Sequence, residues 1–468
     1  MNTASTVAAA TGSTAAAGVK HPPGPKGLPV IGCLLPFLKN PMEALTDIAR
    51  RYGGLARVPI RGKYLYVLSD PEMLKEMLIA HRAKYMKNIR YRHIQALLGQ
   101  GLLLSEAADW RRQRVITQPA FKPEAIDASV AWMGPHIDRF LDRWNARADR
   151  EEVFDVEPDF NRLAQLLSGR YLLGEPFADI ADEFCEVAAA VKKTWPQAPR
   201  NIVRAFIPHS KALIARFDAS IAALDACILG FIQRHRATDF EGCGVLKRIV
   251  ISSRAEGGRE FDDKSLRDQI STLFFAGHET SATGLCWIHW ALSRHPAIRA
   301  QMRGEVTTLL GDRLATAAEV HQLQYTGQVI DESLRLHSPI HSISRVALED
   351  NTVGGFHVPK GVTVAISMYA IHRQAHLYPD PEKFDPTRFE PEKVAARHRF
   401  AYLPFAAGHR NCIGAGQALV ELKLIVARIA QRFELDLAPG QRVEPAPGTT
   451  MFPRYGMKMK IRHAPRAQ

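Results

Sequence analysis

Apolar and polar positions alternate along only a few short stretches of this chain; along most of the rest, apolar residues recur every three to four positions. Residues 56–71, ARVPIRGKYLYVLSDP, alternate as a β-hairpin does. From about 72 to 340 the helical period dominates, broken by Pro and Gly. The longest run is 262–296, DDKSLRDQISTLFFAGHETSATGLCWIHWALSRHP, in which Leu266, Ile270, Phe274 and Gly277 fall on one stripe and Pro296 stops the helix. A helix of about 30 residues is long for a globular protein, so it is expected to cross the whole core. Strand signals return at 345–372, with Gly354-Gly355 and Pro359–Gly361 as turns. A final helix is expected over 413–433, with Ala415, Leu419, Leu422, Val426, Ile429 and Phe433 on its buried face. The fold class expected is mainly α with a smaller β region. It forms one domain over 21–463, without internal repeat or linker, behind a disordered Ala/Thr-rich tail at 1–20.

Composition narrows the picture. With 468 residues, 46% of them hydrophobic, the chain can bury a large core. Its six cysteines form no CxxC pair and no regular spacing, which argues against a disulfide framework or zinc knuckle and for a reducing cytoplasm. The net charge of +13 is spread along the chain. Solvated arginines account for most of it, a basic face could meet an acidic protein partner, and nucleic acid is not expected without a reading motif. Residues 28–38, LPVIGCLLPFL, hold two prolines in 11 residues. A spanning helix needs about 20 apolar residues, so no transmembrane anchor is expected.

One segment departs from plain core chemistry. In PFAAGHRNCIG, 404–414, a cysteine stands between glycines, beside an arginine and before a helical run. Unpaired N–H groups at a helix start favour the thiolate, which is the metal-ligating form. Gly408 and Gly414 permit close backbone approach to a flat ligand, Arg410 offers a fork for a carboxylate, and Phe405 can cover a ring. An isolated cysteine would more often be a small buried hydrophobe.

These residues match the pattern F-x-x-G-x-R-x-C-x-G, and the chain resembles the cytochrome P450 superfamily of haem-thiolate proteins, of the bacterial type, over nearly everything after residue 22. The resemblance implies the P450 fold with the long helix crossing haem b, and Cys412 as the axial ligand of the iron. Three further motifs lie in the family's order. AGHETS (276–281) corresponds to the oxygen-activation motif, with Ala276 and Gly277 against the haem and Glu279 and Thr280 as a catalytic acid–alcohol relay. Thr280 can also bond to an i−4 carbonyl and loosen the helix. In ESLR, Glu332 and Arg335 share a helix face and would form a buried triad with Arg388 from FDPTRF, where Thr387 replaces the family's usual glutamate. In WRRQR, Trp110 and Arg114 at i, i+4 point the same way and are implied, with Arg345, to hold haem propionates. Arg111 and Arg112 read as solvated charges that could help dock a redox partner.

The family lines its substrate pocket from separated segments. Here these are 84–101, Trp195–Pro208, Phe274 and Phe275, Ile340 and Ile343, and Met451 and Phe452, with Arg90, Tyr91 and Arg92 able to hold a carboxylate at the mouth. Each is more often plain core than pocket. Together they suggest a lipophilic substrate such as a fatty acid, terpenoid or steroid. The reading is a monooxygenase that takes O2 and electrons from a separate ferredoxin- or flavodoxin-like protein with its reductase. It is expected to be monomeric and cytoplasmic, and not to bind nucleic acid. Two rivals stand beside it: a haem-thiolate isomerase or dehydratase working without O2, and a nicotinamide dehydrogenase suggested by IGAGQA (413–418). The latter segment lacks the third glycine and a leading strand.

Overall fold

The computed structural model describes residues 20–87, 92–194, 209–256 and 260–465. The helix expected at 262–296 runs from Asp263 to Arg294. Asp262 caps it by accepting the Ser265 N–H at 2.8 Å, and Pro296 opens the next helix at a position where no N–H is needed. Its 32 residues span about 48 Å at the usual rise. Leu266, Ile270 and Phe274 are buried as the stripe required. The helix packs most closely along Val156–Leu173, where a Cβ on Gly277 would meet the Ser168 hydroxyl at 3.2 Å. Gly277 is thus small for contact with its neighbouring helix, which the sequence had not suggested.

Among the described residues the largest sheet has five strands, in the order Leu55–Ile60, Lys63–Leu68, Thr363–Ser367, Ser342–Ala347, Tyr85–Lys87, and one three-stranded and two two-stranded sheets accompany it. The first two strands are the expected hairpin, and the second pairs in parallel with Thr363–Ser367. Tyr85–Lys87, inside the stretch read as helical, adds an edge strand antiparallel to Ser342–Ala347. Strand structure begins three residues before the expected 345, and Met368–Ile371 at the end of that stretch is a helical turn capped by Ser367. The two turns fall where the glycines placed them, with Gly354, Gly355 and Gly361 all at positive φ.

The last helix spans Ala415–Arg432, and Phe433 starts a strand instead of closing the helix. The motif loop before it is held between two apolar clusters: Phe405 packs on the one built around the central and last helices, Ala407 on the one beneath the sheet. No strand leads into IGAGQA; a single 3-10 turn, Gly408–Arg410, precedes it. That arrangement removes the basis for a dinucleotide loop.

Candidate active site

Cys412 lies in the loop between the 3-10 turn and the last helix, and its N–H donates to the Phe405 carbonyl at 2.9 Å. Gly408 sits at φ +76, and a Cβ there would lie 2.8 Å from the Leu78 carbonyl oxygen, so its glycine is required by the protein's own backbone. Gly414, at the helix start, leaves ordinary room toward Phe121. Burial pushes the Cys412 thiol up, against the Gly414 N–H and the Arg114 charge, which pull it down. The helix-start environment expected to favour thiolate is present, but desolvation outweighs it. Yet Cys412 has exposed surface, and so does Ala276, halfway along a helix most of whose residues are buried. Accessible surface at such depth means internal open space.

A knot of cations surrounds this loop. Lys87 and Arg345 stand directly opposite one another across the antiparallel pair Tyr85–Lys87 and Ser342–Ala347. Like charges so placed repel. Arg410 joins them electrostatically, and desolvation with these two arginines pushes the Lys87 ammonium down to about 7. The acid at the centre is Glu106, which pairs with the Arg410 guanidinium and accepts the Lys87 backbone N–H at 3.1 Å. Arg410 also donates to the Ser105 carbonyl at 2.8 Å and lies 4.3 Å from the centre of the Trp110 ring. Its fork, expected to await a carboxylate, is therefore partly engaged by the chain. Trp110 meets His409 edge-on at 5.2 Å, and Arg114 donates to the Asn411 carbonyl and side chain at 3.0 and 3.3 Å. The helix Ala107–Thr117 thus lays both predicted side chains on the residues just before Cys412. Arg111 is exposed, as read, but Arg112 is not simply solvated: it stacks 4.8 Å over the Phe261 ring.

The triad is assembled. Glu332 and Arg335, both sealed from solvent, pair at 2.6 and 2.8 Å, and the Arg388 Nε lies 3.5 Å from Glu332 Oε1. That last contact is an ion pair without hydrogen-bond geometry, and the Arg388 Nη2 donates instead to the Asp380 carbonyl at 2.9 Å. Thr387, in place of the family's glutamate, is bonded to Asp385 at 2.7 Å.

The sequence motifs point to one family, and the whole chain agrees: residues 22–461 match the family description Cytochrome P450. The chain belongs to the cytochrome P450 family. It is similar to cyclooctatin synthase of Streptomyces melanosporofaciens, with 32% identity over 92% of this chain and 93% of the relative. Pentalenene oxygenase of Streptomyces avermitilis is 27% identical over 93% of this chain and 96% of its own. Among solved structures, the haem domain of cytochrome P450DA superposes with a TM-score of 0.85 at 27% identity, covering 95% and 98% of the two chains. This P450 is a haem-thiolate monooxygenase whose cofactor is haem b, and it works with O2, a lipophilic substrate and an electron-supplying partner. No described helix is long and apolar enough to cross a membrane.

The residues present fit that cofactor. Three neighbouring cations, Lys87, Arg345 and Arg410, face one acid, a surplus that suits a dianionic ligand, and the haem carries two propionates. Lys87 and Glu106 were not singled out in the sequence; Glu106 precedes a helix as a capping residue would, but nothing in the spacing marks Lys87.

On the central helix, the Thr280 hydroxyl donates to the Ala276 carbonyl at 2.8 Å, the i−4 bond expected, while the helix continues through it. Glu279 points elsewhere: its carboxylate accepts from Thr450 at 3.4 Å, and burial raises its pKa. Acid and alcohol are therefore not directly bonded, because consecutive helical side chains diverge by about 100°. Among the substrate candidates, Phe274 is core, its ring 4.6 Å from both Phe184 and His278. Met451 is also core: it is fully buried and its carbonyl accepts the Trp287 indole at 2.7 Å. These two are corrected from pocket to packing. Phe275, Ile340 and Ile343 are half-buried and Phe452 is exposed. Arg90, Tyr91 and Trp195–Pro208 lie outside the described residues, as does the side chain of Arg92.

Proposed function

We propose that this P450 hydroxylates a polycyclic terpenoid hydrocarbon or alcohol, with Cys412 as the iron ligand. The observation that carries the reading is deep accessible surface at Cys412 and at Ala276, bordered by cations in excess of acids. We take the two spaces to be one cavity, with the cofactor between them. Lys87, Trp110, Arg114, Arg345 and Arg410 would hold its carboxylates, while Phe405, Gly408 and Gly414 shape the ligand loop and Ala276 and Gly277 form the opposite wall. Haem b bound through a thiolate supplies activation of O2 and transfer of one oxygen atom to carbon. Thr280 keeps its oxygen lone pairs available while its proton is held by the Ala276 carbonyl. Glu279, its pKa raised by burial, would be brought to Thr280 Oγ1 by a swing away from Thr450 or by a bridging water.

Support for the substrate class comes from relatives named cyclooctatin synthase, cyclooctat-9-en-7-ol 5-monooxygenase and pentalenene oxygenase. Phe275, Ile340, Ile343 and Phe452 remain the pocket candidates. Residues 21–463 would act as one catalytic domain, as a monomer. Electrons would come from a separate ferredoxin- or flavodoxin-like protein, toward which Arg111 offers exposed charge. The described cysteines are all free thiols, in keeping with a cytoplasmic setting.

The test is turnover of polycyclic diterpene and sesquiterpene hydrocarbons with a surrogate ferredoxin and reductase under isotopically labelled O2. The expected product has gained one labelled oxygen. Conversion without label uptake would move the protein to the isomerase or dehydratase reading.

A further inference from the structure

We propose that Thr450 is a positioning residue for Glu279, its hydroxyl parking the acid on a helix face turned away from Thr280, a role that rests on reading Glu279 and Thr280 as a relay. Thr450 lies in the turn between the antiparallel strands Pro445–Pro447 and Met451–Pro453. Glu279, Thr283 and Trp287 recur every four positions along the central helix, so they share one stripe. All three reach this hairpin. The Thr450 hydroxyl donates to the Glu279 carboxylate at 3.4 Å and accepts from Thr283 at 3.3 Å. The Trp287 indole donates to the Met451 carbonyl at 2.7 Å.

The direction of these bonds matters. A threonine inside a helix commonly folds its hydroxyl back onto the carbonyl four residues earlier, as Thr280 does. Thr283 sends its proton across to the hairpin instead, which leaves the Thr450 proton to point at Glu279. Both threonines are sealed from solvent, so water does not compete for these bonds. Nor can Thr450 drift. Its neighbour Met451 is held at both backbone groups, the N–H by the Pro339 carbonyl at 2.7 Å and the carbonyl by Trp287. Trp287 is itself stacked on the His337 ring, 4.4 Å between centres.

Two other charges act on Glu279. Lys192, on the helix Ala181–Thr194, favours the carboxylate, and Glu157, on the helix Val156–Leu173, opposes it. Lys192 is already engaged by Glu157 and Asn161, at 3.4 and 3.1 Å. Among the described residues, Thr450 is therefore the one whose side chain bonds to the Glu279 carboxylate. That bond favours the charged form against the burial that disfavours it. Loss of the hydroxyl would leave Glu279 unheld and keep its proton on to higher pH.

The experiment is an infrared pH titration of the resting, haem-loaded full chain, following the protonated-carboxyl band that Glu279→Gln removes. Thr450→Val keeps the side chain's shape and loses its hydroxyl. It should raise the frequency of that band and move its titration midpoint up by roughly half a pH unit or more. Thr450→Ser should return both to the wild-type values, which a packing role of the threonine methyl would not do. The proposal is overturned if Thr450→Val leaves band and midpoint where they are, or if Thr450→Ser behaves as Thr450→Val does. Glu279→Gln separates this failure from that of the relay. If it leaves product formation and its solvent isotope effect unchanged, the relay reading falls and the proposal with it. If it slows product formation while Thr450→Val moves no band, the role of Thr450 falls alone.

Discussion

Glu421, on the helix that follows the cysteine loop, is 4% exposed, and burial pushes its carboxyl up to about 8 against a small opposing pull from Ser281. Its Oε1 has no hydrogen-bond partner among the described residues. The native state therefore keeps a proton that the unfolded chain, near pKa 4.5, has already released. Stability from this group is complete below about 4.5 and is lost as pH rises toward about 8, by at most about 1.4 kcal/mol per pH unit. Glu421→Gln should flatten that slope, so melting temperatures of the two proteins should draw apart between pH 5 and pH 8 with the variant higher, a trend thermal scans across that range would reveal. For Thr280 the motif was legible and half of its geometry with it: the bond to Ala276 follows from helix period alone, whereas the Glu279 contact with Thr450 joins residues 171 apart. Thr280→Ala should leave stability and substrate-induced spectral shifts intact while raising the peroxide formed per nicotinamide consumed. Unchanged coupling would remove Thr280 from the relay.

Among the elements, the helix Gln324–Leu336 carries the buried pair Glu332 and Arg335. Arg335 donates to the His372, Pro381 and Lys383 carbonyls at 2.7, 2.7 and 3.2 Å, so one side chain stitches the meander of 372–385 to the helix. Glu332 neutralises it and also accepts the Asp385 N–H at 2.8 Å. Glu332→Ala would strand a buried guanidinium, and a loss of about 3–5 kcal/mol is expected in denaturant unfolding. A loss below about 1 kcal/mol would mean that the pair is solvated. The i, i+3 spacing announced this pair. The long helix was equally plain, since its period persists over nine turns and its ends carry Asp262 and Pro296. Less legible were the short strand Tyr85–Lys87, too brief to show a period, and the inward turn of Phe274, since an aromatic on a central helix can face either packing or cavity.

Across the molecule, the candidate site is a meeting of segments that the sequence keeps apart. Arg114 and Asn411 are 297 positions distant, Glu106 and Arg410 are 304. Each motif was readable by itself because its spacing follows local geometry. The cation knot was not, because Lys87 meets Arg345 only through a strand register set by long-range pairing. The account holds that these segments converge to seat a haem on one thiolate. The ferrous carbon monoxide spectrum of Cys412→Ser, set beside that of the wild type, tests this most directly. The wild type should show the long-wavelength band of thiolate ligation and the variant should lose it while remaining folded. An unchanged band in the variant would contradict the assignment.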